Sequence, residues 1–164
     1  MERNTKYGID KKVVILGIAT FAGFLYIASY SHELGHIAVC NAYGFRSELI
    51  ISPYTLDTRA STCHGHPDNL LLFRSMGGIA GFAASMVPVV FLRKYKFIII
   101  GCVPNATANV LAAIMETFFH EWYSANAGGV PAAVTFGSMI TVATILLLKY
   151  ATANSTNLRA RAQG

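Results

Sequence analysis

Charge is what this chain has least of. Of its 164 residues only 13% are charged, 13 Lys and Arg against 8 Asp and Glu. With 54% apolar residues and a mean hydropathy of +0.46, that scarcity excludes an ordinary soluble globular domain. Cysteine is scarce as well: Cys40, Cys63 and Cys102 form an odd set without paired spacing, so no disulfide framework is inferred. The sequence permits a Cys40–Cys63 bridge, but nothing in it supports one. The net charge of +5 raises nucleic acid as a partner, yet the basic residues are not gathered with aromatics into a patch, and that class is set aside. No repeat or low-complexity tract suggests a solenoid or an array.

What the chain does have is long apolar runs. Read as membrane spans they cover about 13–42, 70–92, 97–119 and 130–148, each long enough to cross a hydrocarbon layer of roughly 30 Å. The first run follows Lys11 and Lys12 but is too long for the core of a signal peptide, so it is read as retained. Gly44 suits a left-handed cap at its end. Between the first two spans, Glu48-Leu-Ile-Ile-Ser-Pro53 has the β-branched content of a short strand, and Pro53 and the Asp57 region signal turns. Gly77, Gly81 and Ser85 recur at a spacing of four in the second span, a ladder that lets another helix approach closely. The fold class is therefore an all-α membrane protein, with about four transmembrane helices and a short β-hairpin or irregular loop between the first and second. Residues 1–150 form a single polytopic membrane domain, and 151–164 a flexible basic tail.

Topology follows from charge. Four spans put both termini and the Arg93–Lys96 turn on one side, with ten of the thirteen Lys and Arg; only Arg46, Arg59 and the borderline Arg74 lie elsewhere. The rich side is expected to be the cytoplasmic face of the cell membrane, which puts both termini in the cytoplasm. His32, His36, His64, His66 and His120 then fall at or beyond the opposite, extracytoplasmic face.

The first span ends in His32-Glu33-Leu34-Gly35-His36. Positions four apart share a helix face, so His32 and His36 can offer two imidazoles to one metal, with Glu33 placed beside the water that the metal activates. A membrane helix whose polar end merely reaches the interface would carry the same letters. Ionisable groups at the end of so apolar a run are nevertheless costly, and by default functional. Catalytic zinc takes three protein ligands. The third is sought at the end of the third span, where Glu121 is the first choice, His120 the second and Glu116, one turn deeper than His120, the third. Zinc is preferred on ligand type. The bland reading of Glu121 is an interfacial carboxylate facing water, and of Glu116 a buried acid held by a polar partner such as Asn109 or Thr117.

These residues resemble the site-2 protease family of intramembrane zinc metallopeptidases, in particular its small, minimal-core members. The likeness rests on a first membrane helix ending in His-Glu-Leu-Gly-His, a following Gly and short strand, a second span with Met76-Gly-Gly-Ile-Ala-Gly81, and an acidic position after a later span. It covers most of residues 13–135, though only the five-residue motif is specific. Glu121-Trp122-Tyr123 followed by Gly129-Val-Pro131 resembles the family's Asp-aromatic segment before Gly-x-Pro, with Glu in place of Asp. The resemblance implies a zinc-dependent endopeptidase that cleaves membrane-anchored proteins or peptides within the lipid bilayer, with Glu33 as general base and acid and Zn2+ on His32, His36 and Glu121. An oligomer or partner subunit completing the site stays open. So does a rival: a non-proteolytic membrane protein of the same fold that binds a partner or a metal ion. Glu33 favours the enzyme, because metal binding alone has no need of it.

Other features rank lower. Cys63-His-Gly-His66 can be read as a second metal site or, more plainly, as a solvated loop that also covers the first. Asn105 and Asn109 share a stripe with Glu116 and are read as interhelical hydrogen-bonding groups. The acceptor patterns at Asn105 and Asn154 are discounted as glycosylation sites, one lying inside a span and the other on the cytoplasmic tail.

Overall fold

The computed structural model describes residues 10–51, 59–126 and 129–162. Asp10 starts the first helix, α1 (Lys11–Ala42), by accepting hydrogen bonds from the backbone N–H groups of Lys12 and Val13 at 3.1 and 3.2 Å. Gly44 ends it. With φ at +78° it turns the chain left-handed, so that Gly44 N–H reaches Asn41 O and Phe45 N–H reaches Cys40 O, the paired bonds that close a helix C-terminus.

The chain then forms a two-stranded antiparallel hairpin, β1 (Ser47–Ile51) and β2 (Arg59–Cys63), in the register Ser47↔Cys63 to Ile51↔Arg59. The turn expected around Pro53 and Asp57 lies outside the described residues. This register corrects the expectation drawn from the cysteine count: Cys40 and Cys63 are joined by a disulfide, with Cα atoms 5.9 Å apart. The reason is geometric. The sharp turn at Gly44 and the return of the hairpin carry position 63 back beside the last turn of α1, a meeting that a separation of 23 residues does not reveal. Cys102 is free and buried.

Asn69 caps α2 (Leu70–Leu92) by accepting from Leu72 N–H at 2.9 Å. Its Gly77, Gly78, Gly81 and Ser85 are buried, as the spacing of small residues requires of a helix pressed against neighbours. A turn leads to α3 (Lys96–Phe118), which packs against both α1 and α2 and forms the centre of the bundle. Half of its apolar membrane window is buried, against 11% for α1. The third helix does not carry on through Glu121: it stops at Phe118, and a separate short helix, α4 (His120–Asn126), follows. The last helix, α5 (Val130–Ala162), packs mainly on α3 and runs past the end expected near Leu148, so the stretch read as a flexible tail is helical to Ala162.

Four of these helices are long and apolar enough to cross a membrane. Their outer faces are apolar too, with Phe91 77% exposed, a surface that suits lipid and not water.

Candidate metal centre

Two helices build the centre. His32 and His36 project from one face of α1, their ring centroids 5.0 Å apart. Opposite them on α3 stands Glu116. His32 Nε2 lies 3.1 Å from Glu116 Oε1, His36 Nε2 lies 3.3 Å from Glu116 Oε2, and the two Nε2 atoms are 3.3 Å apart. These three side chains are the one metal-capable group of His, Cys, Asp and Glu among the described residues, with ligand atoms within 4.8 Å of one another. Each is about 12–13% exposed.

The other ring nitrogens fix the tautomers. His36 Nδ1 faces the carbonyl oxygen of Phe73 at 2.8 Å, and a carbonyl only accepts, so the proton sits on Nδ1. Asn109 donates from Nδ2 to Asn105 O at 2.9 Å, which leaves its Oδ1 to accept from His32 Nδ1 at 3.3 Å. With both imidazoles neutral, each Nε2 turns a lone pair inward, toward the other and toward Glu116, whose Oε2 is buried with no hydrogen-bond partner. Converging lone pairs repel unless a proton or a metal cation lies between them. Ligands bound to zinc at about 2.0–2.1 Å stand about 3.3 Å apart along the edges of a tetrahedron, and the observed separations fit that figure. Two imidazoles and a carboxylate, each imidazole oriented through its second nitrogen, are a donor set that suits zinc.

Backbone closeness completes the fit. A side chain on Gly77 of α2 would collide with His36 Nε2, so this glycine gives the imidazoles the space they occupy.

Glu33, beside His32 on α1, is held from the hairpin. Ser61 donates to its Oε2 twice, from the backbone N–H at 2.9 Å and from the hydroxyl at 2.7 Å. A cavity of about 600 Å³ runs alongside, lined by His32, Glu33, His36 and Glu116 and, deeper between the helices, by Leu25 and Met139.

Glu121, the first choice for the third ligand from sequence, is not in this cluster. The break at Phe119 carries it away on α4, where it is exposed and lines a separate depression with Arg74 and Trp122. His120 lines both spaces, and its Nδ1 is buried without a hydrogen-bond partner, but it too is outside the three-residue group. Glu116 takes the place instead. One signal in the sequence points to it: it is the sole charged residue within the 97–119 run, and an acid there is expensive unless it has work to do. Asn109 proves to be a partner of His32 in addition to bonding along its own helix. The Cys63-His-Gly-His66 loop forms no second metal cluster, since Cys63 is bound to Cys40 and His64 lies 3.6 Å from Glu48, which also pairs with Arg46 at 2.8 Å. Ser61 carried no signal before the hairpin register was known.

Comparison with known proteins found no family model, no curated protein and no solved structure that matches this chain.

Proposed function

We propose that this chain is a zinc-dependent intramembrane endopeptidase, of the kind that the resemblance to the site-2 protease family implies, with His32, His36 and Glu116 as the metal ligands. One observation carries the reading: three inward-facing ligand groups converge from two membrane helices at the spacing of a zinc tetrahedron, with Glu33 next to them on a cavity. His32, His36 and Glu116 would hold the zinc ion, which would supply Lewis-acid activation of water and polarisation of the scissile carbonyl. Glu33 takes the proton of the attacking water and passes it to the leaving amine. Asn109 and Phe73 keep the imidazoles in the tautomer that binds metal, and Glu116 supplies the negative charge that two neutral imidazoles lack. The cavity reaches down between the spans, so its substrate is a membrane-embedded segment that gives up helix locally to expose a peptide bond.

The orientation proposed with this function places the metal centre toward the extracytoplasmic face. Two features support it: the Lys and Arg bias across the spans, and a disulfide at the same end as the site, which calls for an oxidising compartment.

Glu33 separates this reading from a protein of the same fold that only binds metal or a partner. In lipid bilayers, the zinc-loaded parent is expected to cleave a membrane peptide carrying helix-breaking residues. Glu33→Gln should keep its zinc and lose cleavage by about 100-fold or more. Equal cleavage by parent and variant would exclude Glu33 from the chemistry, and the peptidase mechanism with it.

A further inference from the structure

The hairpin has a second edge, and that edge faces the chemistry. His64 N–H bonds to Arg46 O at 2.8 Å, and hydrogen-bonded pairs alternate along an antiparallel ladder, so the next such pair in the register is Glu48 with Thr62. Ser61 and Leu49 fall between, as a pair without ladder bonds. Ser61 N–H therefore points away from β1, and it points at Glu33 Oε2, where the Ser61 hydroxyl also ends. Two residues further along the same strand, Cys63 is bonded to Cys40 in the last turns of α1. Glu33 and Cys40 are on the same helix, so strand and helix are tied at two points: one covalent, the other through the carboxylate itself.

Resting on the peptidase reading above, we propose that Ser61 is a positioning residue for Glu33, and that the Cys40–Cys63 bridge holds Ser61 in place, making cleavage dependent on an oxidised hairpin while zinc binding is not. A glutamate side chain turns about three bonds, and a general base has to present one oxygen at a fixed distance from water. Both donors of Ser61 fall on Oε2. That stops rotation of the carboxylate and leaves Oε1 to accept the proton. None of the three metal-capable side chains sits on the hairpin, so freeing the hairpin disturbs the base and spares the metal. Freeing it takes a dithiol reductant: its two thiols become a disulfide as Cys40 and Cys63 become thiols.

The test uses the full chain in lipid bilayers, with zinc content, kcat and KM for the helix-broken membrane peptide, and amide exchange at Ser61 as readouts. Ser61→Ala is expected to keep its zinc and KM and to lose kcat by about tenfold, the scale of one hydrogen bond to a charged group. Ser61→Thr, which retains the hydroxyl, should restore it. The double variant Cys40→Ser/Cys63→Ser should likewise keep zinc and lose kcat. In Glu33→Ala the Ser61 amide should exchange at least about tenfold faster than in the parent, while the ladder amides of Thr62 and His64 do not change. Undiminished kcat in Ser61→Ala, or Ser61 exchange indifferent to Glu33, overturns the proposal and leaves the peptidase reading standing. Exchange that does depend on Glu33, in a chain that cleaves nothing, overturns the peptidase reading and leaves the clasp on Glu33 supported.

Discussion

At the scale of single residues, the centre depends on what is missing from Gly77 as much as on what its ligands supply. A methyl group there would meet the Nε2 atoms of both histidines, whereas one on Gly23 of α1 would meet nothing within 4 Å. Gly77→Ala is therefore expected to weaken zinc binding by at least about tenfold in a chelator competition, the scale of a disturbed metal shell, with Gly23→Ala unchanged. Equal affinities in the two variants would show that the imidazoles can shift at no cost. Asn109→Ala leaves His32 Nδ1 without its acceptor, and the same competition should show a loss of about 10–100-fold. The two histidines and Glu33 were legible in the sequence because a helical repeat of four is local. The acid that faces the two histidines was not. Choosing among Glu116, His120 and Glu121 required knowing that the helix breaks at Phe119, and neighbouring aromatic residues carry no clear stop signal.

At the scale of elements, α3 is the part on which the others are assembled. Asn105 donates to Gly101 O within its own helix at 2.8 Å and to Phe21 O of α1 at 3.3 Å, pinning to each other the two helices that carry His32, His36 and Glu116. Replacement by leucine, of similar volume, removes the bond between helices. It should lower resistance to unfolding by about 1 kcal/mol, with the larger effect on zinc affinity falling to Asn109. Unaltered stability would mean that packing alone sets the register of α1 on α3. The four apolar helices were expected from the sequence at nearly their observed positions, since hydrophobic runs of that length have few other uses. The hairpin was expected as a hairpin or a loop. Its register, and with it the disulfide and the Ser61 contact, depends on pairing between strands that no single strand specifies.

At the scale of the whole molecule, the apolar outer faces of the bundle leave the polar chemistry on the inside, between α1 and α3. The proposed orientation can be checked by labelling with a membrane-impermeant maleimide in a Cys102→Ala background. A cysteine replacing His64 should react in intact cells, and one replacing Lys94 only after permeabilisation; the reverse pattern would invert the topology. The central claim concerns which acid completes the centre, and metal content measures that most directly. Zinc per chain, determined on the purified protein for the parent, Glu116→Ala and Glu121→Ala, should be close to one in the parent and in Glu121→Ala and should fall to a small fraction in Glu116→Ala. Full zinc in Glu116→Ala would contradict the account.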